Sequence, residues 1–132
     1  MNPKIIIVDD DPINNMLFSC IIGNVDNSAD IKCFEFPAEG LKFISSEYGD
    51  GSKQIPTVLF LDIDMPEING WDFLDEFAKM NEHIQEQFTV CLVTSSDNRS
   101  DIEKAKSNIF VKRYLEKPLD PDIVHHLLHR ND

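Results

Sequence analysis

Three acids, a hydroxyl and a lysine each stand at or just past the end of a short apolar run: Asp9-Asp10, Asp62, Thr94 and Lys117. The runs are Ile5-Ile6-Ile7-Val8, Val58-Leu59-Phe60-Leu61, Val90-Cys91-Leu92-Val93 and, more loosely, Val111 to Leu115. Carboxylates gathered in one place suit a hard divalent cation, which prefers oxygen ligands. A hydroxyl and an ammonium beside them suit the oxygens of a phosphoryl group. Taken alone, Asp9-Asp10-Asp11 also reads as a helix-capping cluster, because acids are favoured at helix N-termini. Asp11, followed by Pro12, fits that capping role in any case.

The elements that must position these groups follow from periodicity. Apolar runs of this length, bounded by turn residues and alternating with helical patterns, read as buried parallel strands. The expected strands are Lys4–Val8, Ile31–Phe36, the run ending at Leu61, Thr89–Thr94 and Val111–Leu115; the more polar second one suits an edge. Ile13, Met16, Leu17, Cys20 and Ile21 repeat at helical spacing and predict the buried face of a first helix. Further helices are expected from Pro37 through Ile44, over Trp71 to Met80, over Asp97 to Ser107, and after Asp120-Pro121. Residues 47–56 (EYGDGSKQIP) read as a surface loop. Five strands alternating with five helices predict a doubly wound parallel α/β sheet with right-handed crossovers and helices on both faces. In such sheets ligands bind beyond the carboxyl ends of the strands, where all the chemical residues stand.

A chain of 132 residues suits one domain, residues 1–132, with no output domain. Twenty-four acids against 12 Lys plus Arg give a formal charge of -12, which disfavours nucleic acid and anionic membrane as partners. Cys20, Cys33 and Cys91 are scattered and read as small hydrophobes in a reducing compartment rather than a disulfide or zinc framework. No apolar run nears the ~18 residues of a membrane span, and no signal-peptide pattern opens the chain, so a cytoplasmic protein is expected. His125, His126 and His129 lack an evident third ligand and read as a solvated last turn, while Trp71 reads as a partly buried helix residue.

Taken in order, residues 7–12 (IVDDDP), Leu61-Asp62-Ile63-Asp64-Met65-Pro66 with Gly70, Leu92-Val93-Thr94-Ser95 and Tyr114-Leu115-Glu116-Lys117-Pro118 resemble the response-regulator receiver domain of two-component signalling. The resemblance runs from about Lys4 to Leu128 and implies the flavodoxin-like strand order 2-1-3-4-5. It also implies roles. Asp62 would be the phosphoacceptor, and Asp9, Asp10, Asp62 and the backbone carbonyl of Asp64 would hold Mg²⁺. Thr94 and Lys117 would meet the phosphoryl group, with Thr94 and Tyr114 acting as the switch pair and Lys117-Pro118 joined by a cis bond. Asp64 and Ser96 flank the route of the attacking water and would tune the acyl phosphate's lifetime.

The implied activity is a phosphoacceptor switch that catalyses its own phosphorylation and dephosphorylation rather than acting as a conventional enzyme. A sensor histidine kinase or a histidine phosphotransfer protein would be the donor. An unknown downstream protein would read the result by contact or phosphorelay, from a monomer or a phosphorylation-dependent dimer. The alternative is a haloacid-dehalogenase-like Mg²⁺-dependent phosphatase using Asp62 and Asp64. Chain order weighs against it, since that family places its nucleophile on the first strand and its metal acids after the lysine. The residue 47–56 loop is long for a receiver and is expected at the sheet end away from the pocket.

Overall fold

A computed structural model describes residues 2–95 and 99–129. The elements in chain order are β1 (Lys4–Val8), α1 (Pro12–Val25), β2 (Asp30–Phe34), α2 (Pro37–Glu47), β3 (Thr57–Asp62), α3 (Gly70–Ala78), α4 (Glu82–Gln85), β4 (Phe88–Thr94), α5 (Arg99–Ser107), β5 (Val111–Glu116) and α6 (Pro121–Leu128). All neighbouring strands pair in parallel, in the order β2-β1-β3-β4-β5. The sheet therefore has the expected topology, with β2 at an edge and three of its five residues exposed.

Alternation along the central strands divides the core in two, because successive side chains leave opposite faces of a strand. Ile6, Val8, Leu59, Leu61, Val90 and Leu92 face Ile44 of α2, Phe73, Leu74 and Phe77 of α3, and Ala105 of α5. Ile5, Ile7, Phe60, Cys91 and Val93 face Phe18 and Ile22 of α1 and Val124 and Leu127 of α6. The near-continuous apolar runs are thus explained by burial on both sides.

Helix starts follow local chemistry. Asp11 accepts a bond from the Ile13 N–H ahead of Pro12, and Asp120 accepts from Asp122 ahead of Pro121. Asn69 and Asp72 form a reciprocal capping box at the start of α3.

The buried face of α1 differs from the expected one. Asn15, Phe18 and Ile22 point inward, whereas Ile13, Met16 and Leu17 are 72%, 67% and 46% exposed, and Cys20 is exposed too. The helix carries apolar residues on nearly every side, so its periodicity fits two faces, and the sheet selects the one bearing Phe18. Cys33 is likewise exposed, leaving only Cys91 as a core cysteine. The short α4 was not expected; at four residues it shows no period, and it is held by the Asn81 cap on the Ile84 N–H. The fifth helix begins at Arg99 among the described residues, and its expected start at Asp97 lies outside them.

The long connection after α2 lies before β3, at the end of the sheet opposite Asp62. It is more anchored than a surface loop. Tyr48 is buried, with its hydroxyl 2.8 Å from Thr57 Oγ1, and the buried Gln87 side chain donates to the Tyr48 carbonyl and accepts from the Ile55 N–H. No helix among the described residues is long and apolar enough to cross a membrane.

Candidate functional site

The carboxyl ends of β1, β3 and β4, with the turn after β5, converge on one edge. Asp9 follows Val8 directly, Asp62 is the last residue of β3, Thr94 is the last of β4, and Lys117 follows Glu116. Carboxylate oxygens of Asp9, Asp10 and Asp62 all lie within 4.8 Å of one another. Asp9 and Asp62 are buried, and Asp10 is less so.

The two buried acids are held by their surroundings. Asp9 Oδ1 accepts from the Asp11 N–H at 2.9 Å, and Asp9 Oδ2 accepts from Lys117 Nζ at 3.0 Å. Asp62 Oδ1 lies 3.5 Å from the same Nζ and accepts weakly from the Asp64 N–H at 3.3 Å. The lysine reaches in along the Phe18 ring, 5.9 Å from its centroid, and its backbone N–H donates to the Thr94 carbonyl at 2.8 Å. The Lys117–Pro118 bond is cis.

Electrostatics here are unbalanced. Burial, with the charge of Asp9 added, pushes the Asp62 carboxyl up to about 7 despite the opposing pull of Lys117. For Lys117, burial works to lower the ammonium's pKa, but the bond to Asp9 and the charges of Asp62 and Asp9 outweigh it, so the lysine is held above its ordinary value. One lysine faces three carboxylates, which leaves surplus negative charge in a partly dry pocket. Three converging carboxylates with hard oxygen donors fit Mg²⁺.

The turn after Asp62 is shaped by Gly70. A Cβ on Gly70 would sit 2.9 Å from the Asp62 carbonyl oxygen and 2.9 Å from the Ile63 Cα. Its N–H donates to the Ile63 carbonyl at 2.9 Å, closing the turn onto the end of β3. Close backbone approach is the reason for glycine here.

The fold thus brings Asp9, Asp10, Asp62 and Lys117 into one cluster. Thr94 is fully buried beside it at the end of β4, whose Val93 registers with Asp62. Tyr114 lies within β5, opposite Leu92, half-buried against the α2/α3/α5 side of the core. Asp64 is exposed at the pocket mouth, and Ser96 lies outside the described residues. The histidines join no cluster of three metal-binding side chains among the described residues; His129 instead faces Asp26 at 3.5 Å. Trp71 is half-buried, with its indole N–H donating to Asp101 at 3.1 Å.

Sequence reasoning missed Asn15. It is 5% exposed, and its Nδ2 donates to the Asp9 carbonyl at 3.0 Å. Its signal was a polar residue three before Phe18 and seven before Ile22, on the stripe that α1 buries.

The sequence matches the response regulator receiver domain family over residues 5–129. The chain belongs to that family. A two component response regulator from Cytophaga hutchinsonii superposes with a TM-score of 0.87 at 28% identity, covering 98% of this chain and 96% of that one. A response regulator receiver protein from Dyadobacter fermentans gives 0.86 at 25% identity, covering 96% and 95%. A receiver domain from Rhodospirillum rubrum, at 18% identity and 0.75, shares the fold. No curated protein matches. As a receiver domain of the two-component type with an acidic pocket, the chain has relatives that give the phosphatase alternative no support.

Proposed function

We propose that this receiver domain is a phosphoacceptor switch in which Asp62 takes a phosphoryl group from a phosphohistidine on a sensor kinase or phosphotransfer protein. The observation that carries this reading is the convergence of three carboxylate side chains within 4.8 Å, two of them reached by one lysine. The Asp62 carboxylate attacks phosphorus, the bond from phosphorus to the imidazole nitrogen breaks, and the imidazole leaves with the electron pair. An acyl phosphate on Asp62 results. Asp9, Asp10, Asp62 and the Asp64 carbonyl would hold Mg²⁺, which when bound offsets the clustered negative charge and steadies phosphoryl oxygens.

Lys117 and the Thr94 hydroxyl meet the phosphoryl oxygens, so catalysis by the chain is chiefly positioning and electrostatics. The product places roughly -1.5 to -2 charges at one point. Thr94 is drawn toward it, Tyr114 turns inward behind Thr94, and the surface of α5, β5 and α6 changes. A population shift of this kind needs the phosphoryl group to favour one state by a few kcal/mol, about 1.4 kcal/mol for each tenfold. Asp64 and Ser96, flanking the water's approach, set the lifetime. Residues 1–132 act as one cytoplasmic switch, monomeric or dimerising on phosphorylation, read by a downstream protein or passing the group on.

A protein donor is favoured by the exposed apolar face of α1, which begins three residues beyond Asp10 with Ile13 and continues through Met16 and Leu17. The deciding experiment is intact mass after incubation with acetyl phosphate, with and without Mg²⁺, on wild type and Asp62→Asn. One labile, Mg²⁺-dependent phosphoryl group that the variant lacks is the expected result. Continuous turnover of the donor by Asp62→Asn would overturn the assignment of Asp62.

A further inference from the structure

We propose that Asn15 is a positioning residue for the acidic site and sets its affinity for the divalent cation. The inference rests on reading Asp9, Asp10 and Asp62 as the cation's ligands. Asp9 is gripped at four points: Oδ1 by the Asp11 N–H, Oδ2 by Lys117, the main-chain carbonyl by the Asn15 amide at 3.0 Å, and its own N–H, ahead of it in the chain, by the Phe34 carbonyl of β2 at 3.1 Å. The first two grips act on the carboxylate. Only the third fixes the backbone between the two acids, since that carbonyl belongs to the peptide joining Asp9 to Asp10. The amide therefore sets the direction in which the chain leaves β1, and with it the separation of the two carboxylates.

Asn15 is itself anchored. It lies on the inward stripe of α1 and is 5% exposed. Its own carbonyl accepts from the Ser19 hydroxyl at 2.8 Å, and that hydroxyl touches Cys33 Sγ of β2 at 3.3 Å. The clamp thus runs from β2 through α1 to the turn.

Stability alone does not account for this residue. Among the described residues its Oδ1 is buried without a hydrogen-bond partner, and a buried acceptor left unmade is costly. Leucine has nearly the same shape and would remove that cost, which offsets the loss of the donor to the Asp9 carbonyl. What asparagine supplies there and leucine does not is the donor to the Asp9 carbonyl. Groups that orient metal-binding residues from behind commonly alter affinity by about 10- to 100-fold when removed.

The test is Mg²⁺ titration by calorimetry on wild type, Asn15→Leu and Asn15→Ala, with unfolding midpoints measured without Mg²⁺. Asn15→Leu should keep a midpoint near wild type yet bind Mg²⁺ about tenfold more weakly, and Asn15→Ala should weaken binding alike whatever its midpoint. A merely structural residue would move the midpoint and leave the affinity of the folded protein unchanged. Affinities within about twofold of wild type in both variants would overturn the proposal while leaving the acidic site intact. Failure of wild type itself to bind Mg²⁺, with Asp9→Asn no different, would instead remove the cation reading on which it rests.

Discussion

Lys117 is bonded to Asp9 at 3.0 Å and stands 3.5 Å from Asp62, so its shorter contact is to the acid that follows β1 and its longer one to the acid that ends β3. The two residues are 108 positions apart and meet only because β1 and the turn after β5 end at the same sheet edge. The lysine side chain is mostly buried, and removing one partner of a buried pair leaves uncompensated charge. Lys117→Met should therefore lose about 2 kcal/mol of unfolding free energy without divalent cation, less than a fully buried pair would lose because solvent still reaches the lysine. Saturating Mg²⁺ should narrow the gap. Chemical denaturation with and without Mg²⁺ measures both; equal losses in the two conditions would show that lysine and cation do not share the same charge.

The Asp62 carboxyl gives a pH dependence opposite to that of a salt-bridged aspartate. Burial and the charge of Asp9 raise it from 3.8 to about 7. The folded protein then holds a proton that the unfolded chain has released. Its contribution to stability is complete below the unfolded value and is lost as pH rises through the folded one. Without divalent cation, stability should fall between about pH 4 and pH 7 and level off above. Asp62→Asn should flatten that slope and exceed wild type at about pH 8. Denaturation midpoints across this range check it, and parallel profiles for the two proteins would contradict it.

Gly70 and the end of β3 are in backbone contact. A Cβ at 2.9 Å from both the Asp62 carbonyl oxygen and the Ile63 Cα has no flexible side chain to push aside. Gly70→Ala should cost about 2 kcal/mol, in the range of overpacked sites. The displaced backbone is the one that carries Asp62, the proposed phosphoacceptor, so labelling by acetyl phosphate should slow as well. By contrast, Gly23→Ala, where nothing lies within 4 Å, should leave both unchanged or slightly raise helix stability.

Much of this was legible because the central strands are apolar on both faces and end at the residues of the acidic site. A run such as Val58-Leu59-Phe60-Leu61 reads as a strand once its shortness and the helical patterns on both sides are weighed, and the sheet order followed from the family resemblance. The first helix was not legible in the same way. With Ile13, Met16, Leu17, Phe18, Ile21 and Ile22 spread around it, the choice of buried face depends on what it packs against, which periodicity does not contain. Tyr48 was hidden for a related reason: its loop is polar, but the hydroxyl's partner Thr57 is distant enough in sequence to leave no local pattern. Asn15 was passed over because a polar residue in a helix ordinarily faces water, and its partner is a backbone carbonyl.

The outward apolar face of α1 gives the last prediction. Ile13, at 72% exposure, and Leu17, at 46%, are one turn apart and contribute little to the core. Replacing both with serine should change stability by no more than about 0.5 kcal/mol, as surface substitutions usually do. Acetyl phosphate needs only the pocket, so its labelling rate should stay within about twofold of wild type. A protein donor must cover the pocket and the surface around it, and losing two apolar contacts should slow transfer from a phosphohistidine protein about tenfold, equivalent to 1.4 kcal/mol. Parallel labelling from the two donors separates pocket from docking surface. Equal rates for wild type and variant with the protein donor would place docking elsewhere, whereas a loss with both donors would mean that the substitutions had disturbed the Asp9–Asp10 turn itself.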